Sequence, residues 1–134
     1  MKEVTGFDFK ATGKKMPFIP AEMGGKAYVE KKYSDHRKIY VRSTELTPEL
    51  YREIFQSSGA HIWIKSNDSL NTNGVTAFIH ADQGGEKTVV LPFAVSAVTD
   101  IISGNRIPVA NNGKSFKVNL RKYETRLYKF EKRK

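Results

Sequence analysis

The chain has 134 residues, 39% hydrophobic and 28% charged, with ten glycines, five prolines and no cysteine. That balance suits one compact domain with its own core and excludes whole-chain disorder, collagen and coiled coil. Without cysteine there is no disulfide, thiolate zinc site, iron–sulfur ligation or cysteine nucleophile. The 23 Lys and Arg against 14 Asp and Glu give a net charge of +9, which favours anionic partners through steering and counterion release.

Residues 1–37 are basic and weakly patterned, with eight bases against five acids. No signal-like apolar stretch follows Met1–Gly6, and no apolar run approaches the ~18 to 20 residues a bilayer requires, so a soluble chain with no membrane partner is expected. Val4–Phe9 and Lys26–Tyr33 read as short strands, either extra strands of the domain that follows or outside it. The prolines of Pro17-Phe18-Ile19-Pro20 forbid a helix between them. A second region, 38–134, reads as a β-sandwich domain opening on the strand Lys38–Arg42, rich in β-branched and aromatic residues.

One helix is expected over about 47–57. Thr47 stands at the N-cap, Pro48 is pre-set for the first helical position, Glu49 favours the positive end of the dipole, and Gly59 supplies a left-handed stop. Leu46, Leu50, Ile54 and either Tyr51 or Phe55 form an apolar stripe, so the helix should pack through Leu50 and Ile54 against a sheet.

Beyond Gly59, runs at Ala60–Lys65, Gly74–Ala81, Lys87–Leu91, Val95–Ile102, Ser115–Arg121 and Thr125–Glu131 read as strands. Turn chemistry at Asn71–Gly74, Gln83–Glu86, Ser103–Asn105 and Asn111–Gly113 separates them as hairpins. Short spacing requires antiparallel pairing. The fold class is therefore mainly β, an antiparallel β-sandwich with one short helix. The tail Glu131-Lys132-Arg133-Lys134 reads as a frayed, solvated terminus, and residues 121–134 hold seven bases against two acids.

Chemical motifs mostly fail. Ser69-x-Asn71-x-Asn73-Gly74 imitates a calcium loop but lacks its carboxylates and has His80 at the closing position. Asn67-Asp68-Ser69 satisfies the glycosylation sequon but reads as a turn. His36, His61 and His80 have no metal-ligand spacing, and neither GxxxxGK[ST] nor GxSxG occurs. Acid–base glycoside chemistry needs two facing carboxylates about 5–10 Å apart. Asp68, Asp82, Glu86, Asp100, Glu124 and Glu131 fall mainly in turns or at strand ends, where solvent should keep them ordinary. No catalytic residue, metal site or cofactor is expected.

The ordered set Ser57-Ser58-Gly59-Ala60-His61-Ile62-Trp63, Gly74–Ala81, Gly84-Gly85-Glu86-Lys87-Thr88-Val89-Val90-Leu91-Pro92, Val98-Thr99-Asp100-Ile101-Ile102-Ser103-Gly104, Phe116–Leu120 and Tyr123–Tyr128 resembles a known family. It is similar to the C-terminal antiparallel β-sandwich that follows the (β/α)8 barrel of bacterial glycoside hydrolases, β-galactosidase-like and amylase-like. The resemblance covers about Lys38 to Glu131 and leaves residues 1–37 unmatched. It implies a non-catalytic accessory domain that packs on a catalytic barrel or other protein surface, shapes its cleft and sometimes holds carbohydrate, in a secreted or periplasmic setting. That family's catalytic carboxylates lie on the barrel, so none transfers to this chain.

A glycan contact needs an exposed aromatic ring to cover a pyranose face. Trp63 is the only tryptophan, and strand alternation in Ala60–Lys65 would set His61, Trp63 and Lys65 on one face opposite Ile62 and Ile64. That face would contact glycan or dock the barrel. Tyr40 and Tyr123 are further candidates. The alternative is a stand-alone basic β domain binding nucleic acid or another polyanion, which ranks behind carbohydrate because the bases form no stripe with interleaved aromatics.

Overall fold

A computed structural model describes residues 9–10, 19–20, 28–41 and 47–133. The chain divides into two compact units, 1–46 and 47–134. In the first, β1 (Phe9–Lys10) pairs antiparallel with β2 (Ile19–Pro20), and β3 (Tyr28–Lys32) with β4 (Arg37–Val41). The turn between β3 and β4 closes through Tyr33 N–H to His36 O at 2.8 Å, and the Tyr33 and His36 rings stack at 4.6 Å. The strand expected from Lys38 therefore pairs with Tyr28–Lys32, within the first unit. Residues 4–8 of the expected Val4–Phe9 strand, and the prolines and lysines between 11 and 18, lie outside the described residues.

The second unit opens with helix α1 (Pro48–Ser57), whose start follows the sequence signals: the Thr47 hydroxyl accepts from the Leu50 N–H at 3.3 Å. Gly59, at φ +80°, ends it in the left-handed region that glycine enters without steric cost. Leu50 and Ile54, the residues expected to pack, are half-buried. No residue of α1 is buried, and Tyr51 and Phe55 are 44% and 51% exposed. Polar bonds also tether the helix: Arg52 donates to Asn67 Oδ1 at 2.8 Å and to Ser66 O at 3.4 Å, and Asn67 donates to Glu49 at 3.2 Å.

Two antiparallel sheets follow. β5 (Ser69–Thr72), β6 (Thr76–His80), β12 (Thr125–Lys132), β8 (Val95–Asp100) and β9 (Arg106–Ile107) form one, in that order. β10 (Val109–Ala110), β11 (Ser115–Leu120) and β7 (Gly85–Val90) form the other. The protein is thus mainly β and sandwich-like, with one helix in the second unit. Alternation drives the burial: Ala77 and Ile79 of β6, Tyr128 and Phe130 of β12, Lys87 and Val89 of β7, and Phe116, Val118 and Leu120 of β11 all turn inward. Phe116 bridges the layers, 5.5 Å from Tyr128 and 6.1 Å from Phe130 between ring centres.

Three of the four expected turns are hairpins: Asn71–Gly74 joins β5 to β6, Ser103–Asn105 joins β8 to β9, and Asn111–Gly113 joins β10 to β11. Gln83–Glu86 instead carries the chain from one sheet to the other, since β6 and β7 belong to different sheets. Ala60–Lys65 is not a regular strand, making only the isolated bridge Ile64–Val89. Nor is the tail frayed through Lys132. β12 runs to Lys132, whose ammonium lies 4.4 Å from the Phe93 ring centre, and Arg133 N–H donates to Ala94 O at 3.1 Å.

The acids of the sandwich are not uniformly solvated. The Asp68 side chain is 1% exposed and meets Lys87 Nζ, itself 7% exposed, at 3.0 Å. Asp68 also accepts from the Ser66 hydroxyl and from the Asp82 N–H at 2.8 Å. Burial pushes the Asp68 carboxyl up, but the bonds from Ser66, Lys87 and Asp82 and the Lys87 charge together hold it below the usual carboxylate range. Asp100, buried at the end of β8, accepts from the Ile102 and Ser103 amides and from Arg126 at 3.3 Å. Beside it, burial first and the Asp100 charge second push the Tyr128 phenol up to about 12.

Candidate ligand-contact face

The outward side of the five-stranded sheet follows from the same alternation that fills the core. With Ala77 and Ile79 inward, β6 presents Thr76, Phe78 and His80 outward; with Tyr128 and Phe130 inward, β12 presents Thr125, Leu127 and Lys129. Strand register aligns these into rows. Asn71, Phe78 and Leu127 lie side by side across β5, β6 and β12, and Leu127 O accepts from Ile101 N–H at 2.8 Å, which extends the row to the residue just after β8. Ser69, His80 and Thr125 form the neighbouring row, and Thr76, Lys129 and Thr99 flank it on the other side.

Phe78 is 37% exposed and forms part of a shallow depression of about 230 Å³ with Asn71, Thr72, Asn73, Thr76 and Leu127. Its rim offers amides and hydroxyls. The loop beside it is held rigid: Asn73 Oδ1 accepts from Val75 N–H, Thr76 N–H and the Thr76 hydroxyl at 2.9, 2.7 and 3.2 Å.

Tyr123 stands at the corner of this face, 64% exposed. Its φ of +63° is an uncommon conformation for a residue with a side chain, costing about 1 kcal/mol or more, and the turn imposes it. Tyr123 N–H donates to Ala81 O at 2.7 Å, Ala81 N–H donates to Glu124 O at 2.9 Å, and the Glu124 carboxylate accepts from Arg121 N–H and from Arg126. The Arg121 amide first, then Arg126, holds the Glu124 carboxyl below its ordinary range. The ring so displayed stacks on His80 at 6.5 Å with 13° between planes, and Lys122 Nζ lies 4.8 Å from its centre. His80 Nδ1 lies 2.8 Å from the Thr125 hydroxyl.

His61, Trp63 and Lys65 come together elsewhere, around a groove beside β7 that Trp63 and Lys65 line. Trp63 is partly buried against the core, 5.9 Å from Phe93 and 6.1 Å from Phe130 between ring centres. With no regular strand at 60–65, two-residue alternation does not govern its direction. His61 is exposed, with Nε2 2.9 Å from Val90 O. Tyr40 is half-buried on β4, in the first unit.

Phe78 and Asn71 escaped the sequence reading. The signal for Phe78 was present, since Thr76, Phe78 and His80 share the side opposite Ala77 and Ile79. Asn71 carried none, because β5 is built of polar residues that read as loop. Among the described residues, no group of three or more His, Asp or Glu could hold a metal ion. Compared with known proteins, the chain matches no family, no curated protein and no solved structure.

Proposed function

We propose that this chain is a non-catalytic accessory β-sandwich domain of a carbohydrate-active enzyme, and that the outer face of its five-stranded sheet contacts neutral glycan. One observation carries the reading: an uncovered row of Asn71, Phe78, Leu127 and Ile101 with Tyr123 at its corner, set among amides and hydroxyls. A flat ring matches the apolar face of a pyranose, while Asn71, Thr76 and Thr125 have the hydrogen-bonding groups that its hydroxyls need. The ordered motifs from Ser57 to Tyr128 support the enzyme context. In that context the groove beside Trp63 and the exposed side of α1 remain available for packing on a catalytic barrel.

The net charge of +9 favours the alternative, a polyanion-binding domain, and salt separates the two. Contact with a neutral sugar is nearly indifferent to ionic strength, whereas phosphate or sulfate contacts weaken steeply as salt rises. Titration with neutral oligosaccharides, heparin and duplex DNA at low and high salt should give salt-independent sugar binding that Phe78→Ala abolishes. Binding confined to heparin or DNA and lost at high salt would overturn the glycan reading. Incubation with chromogenic glycosides should give only the uncatalysed background, and saturable turnover would overturn the accessory role.

A further inference from the structure

We infer that the tip of the β3–β4 hairpin binds single-stranded nucleic acid, stacking bases against the Tyr33–His36 ring pair and holding phosphates on Lys31 and Lys38. The hairpin is buried at one end and open at the other: Val29 is 7% exposed and Tyr40 half-buried, whereas residues 32–36 are all exposed. Tyr33 N–H donates to His36 O at 2.8 Å across the turn, and the two rings stack with 4.6 Å between centres and 6° between planes. A parallel aromatic pair therefore stands at the exposed end, with Tyr33 itself 42% exposed.

Strand register gathers bases that the linear order scatters among acids. Lys31 lies opposite Lys38 and Lys32 opposite Arg37, so two rows of paired cations adjoin the rings. Lys38 Nζ is 5.6 Å from the Tyr33 ring centre, which sets the Lys31–Lys38 row beside the stack. Like charges set directly opposite destabilise a strand pair, and phosphates laid along the hairpin offset that repulsion. The acids of the hairpin are engaged: Glu30 lies 3.3 Å from Arg37 and Asp35 2.7 Å from His36. Pairing within the first unit leaves it positive whatever its pattern, because residues 1–46 hold ten bases against six acids.

The rings choose among polyanions. A sulfated polysaccharide offers charge without an aromatic face, and a duplex hides the faces of its bases in its own stack. An unpaired strand offers both, and an aromatic platform beside a basic track takes it with little regard to base identity. The site belongs to the first unit and the proposed glycan face to the second, so each can fail without the other.

The probe is a fluorescein-labelled single strand of about twelve thymidine nucleotides, titrated into the whole chain by anisotropy while amide shifts are followed. Binding should saturate, weaken as salt rises, and shift the Tyr33, Ser34 and His36 amides of the unaltered chain. Tyr33→Leu should weaken it by about tenfold or more with the salt dependence unchanged, while Tyr33→Phe preserves it. Lys31→Gln combined with Lys38→Gln should reduce the slope of log K against log salt by about 1.4, the share of two single-strand phosphate contacts. Absent binding, binding without shifts at the tip, an unchanged slope in the double variant, or equal affinity in Tyr33→Leu and Tyr33→Phe would overturn the proposal. So would heparin or a duplex of the same length bound as tightly as the single strand, which would reduce the site to a contact between charges.

Discussion

Replacing Lys87 by methionine removes one half of the buried ion pair and leaves the Asp68 carboxylate, 1% exposed, facing an apolar side chain. The Ser66 hydroxyl and the Asp82 amide still reach it, but no positive charge does. Breaking one side of such a pair costs about 3–5 kcal/mol, a large share of the roughly 5–15 kcal/mol that holds a domain folded. With a urea dependence of about 2 kcal/mol/M, the unfolding midpoint should fall by about 2 M. Trp63, the only tryptophan and packed on Phe93 and Phe130, is the natural fluorescence reporter.

Acid provides the second reading. In the wild-type chain Asp68 is held below its unfolded value of about 3.9, so its contribution is complete above that value and is lost as pH falls through the folded-state pKa. In Lys87→Met burial acts without the lysine, the carboxyl rises, and the deficit relative to wild type should shrink on acidification. Asp68→Asn combined with Lys87→Met should recover most of the loss at neutral pH. A midpoint within about 0.5 M of wild type, with an unaltered acid profile, would show that water reaches the pair and would refute the argument.

Trp63→Ala should lower the midpoint, read by circular dichroism, by an amount equivalent to about 3 kcal/mol, and a loss under about 1 kcal/mol would place the ring outside the core. Gly113→Ala should cost about 3 kcal/mol or more in the same assay, because φ is +83° and the new Cβ would lie 2.2 Å from Val95 O; near-neutral stability would contradict that placement. Tyr123→Gly relieves a positive φ and should hold or raise stability by up to about 1 kcal/mol, so clear destabilisation would mean that stacking on His80 supports the fold.

Local chemistry made much of the fold legible. The α1 boundaries follow Thr47, Pro48 and Gly59, and β6, β7, β8, β11 and β12 coincide with runs of β-branched and aromatic residues. The failures have tertiary causes. The apolar stripe of α1 predicted burial, yet Leu50 and Ile54 are only half-buried and Tyr51 and Phe55 stay exposed, while Glu49 and Arg52 hold the helix through Asn67 and Ser66. Ala60–Lys65 carried strand composition, but it meets β7 through the single bridge Ile64–Val89 and forms no regular strand. Asp68 looked like a turn carboxylate because its partner lies nineteen residues on. Of the site, Tyr123 was visible as a candidate aromatic, whereas its left-handed backbone and its alignment with His80, Phe78 and Leu127 depend on register between strands distant in sequence.

Amide chemical-shift mapping during titration with a neutral oligosaccharide reads the contact face residue by residue. Shifts that saturate together at Asn71, Phe78, His80, Tyr123 and Leu127, persist at high salt and vanish in Phe78→Ala are the expected result. Shifts absent from these residues, with others appearing only on adding heparin or DNA, would contradict a glycan-contacting accessory domain.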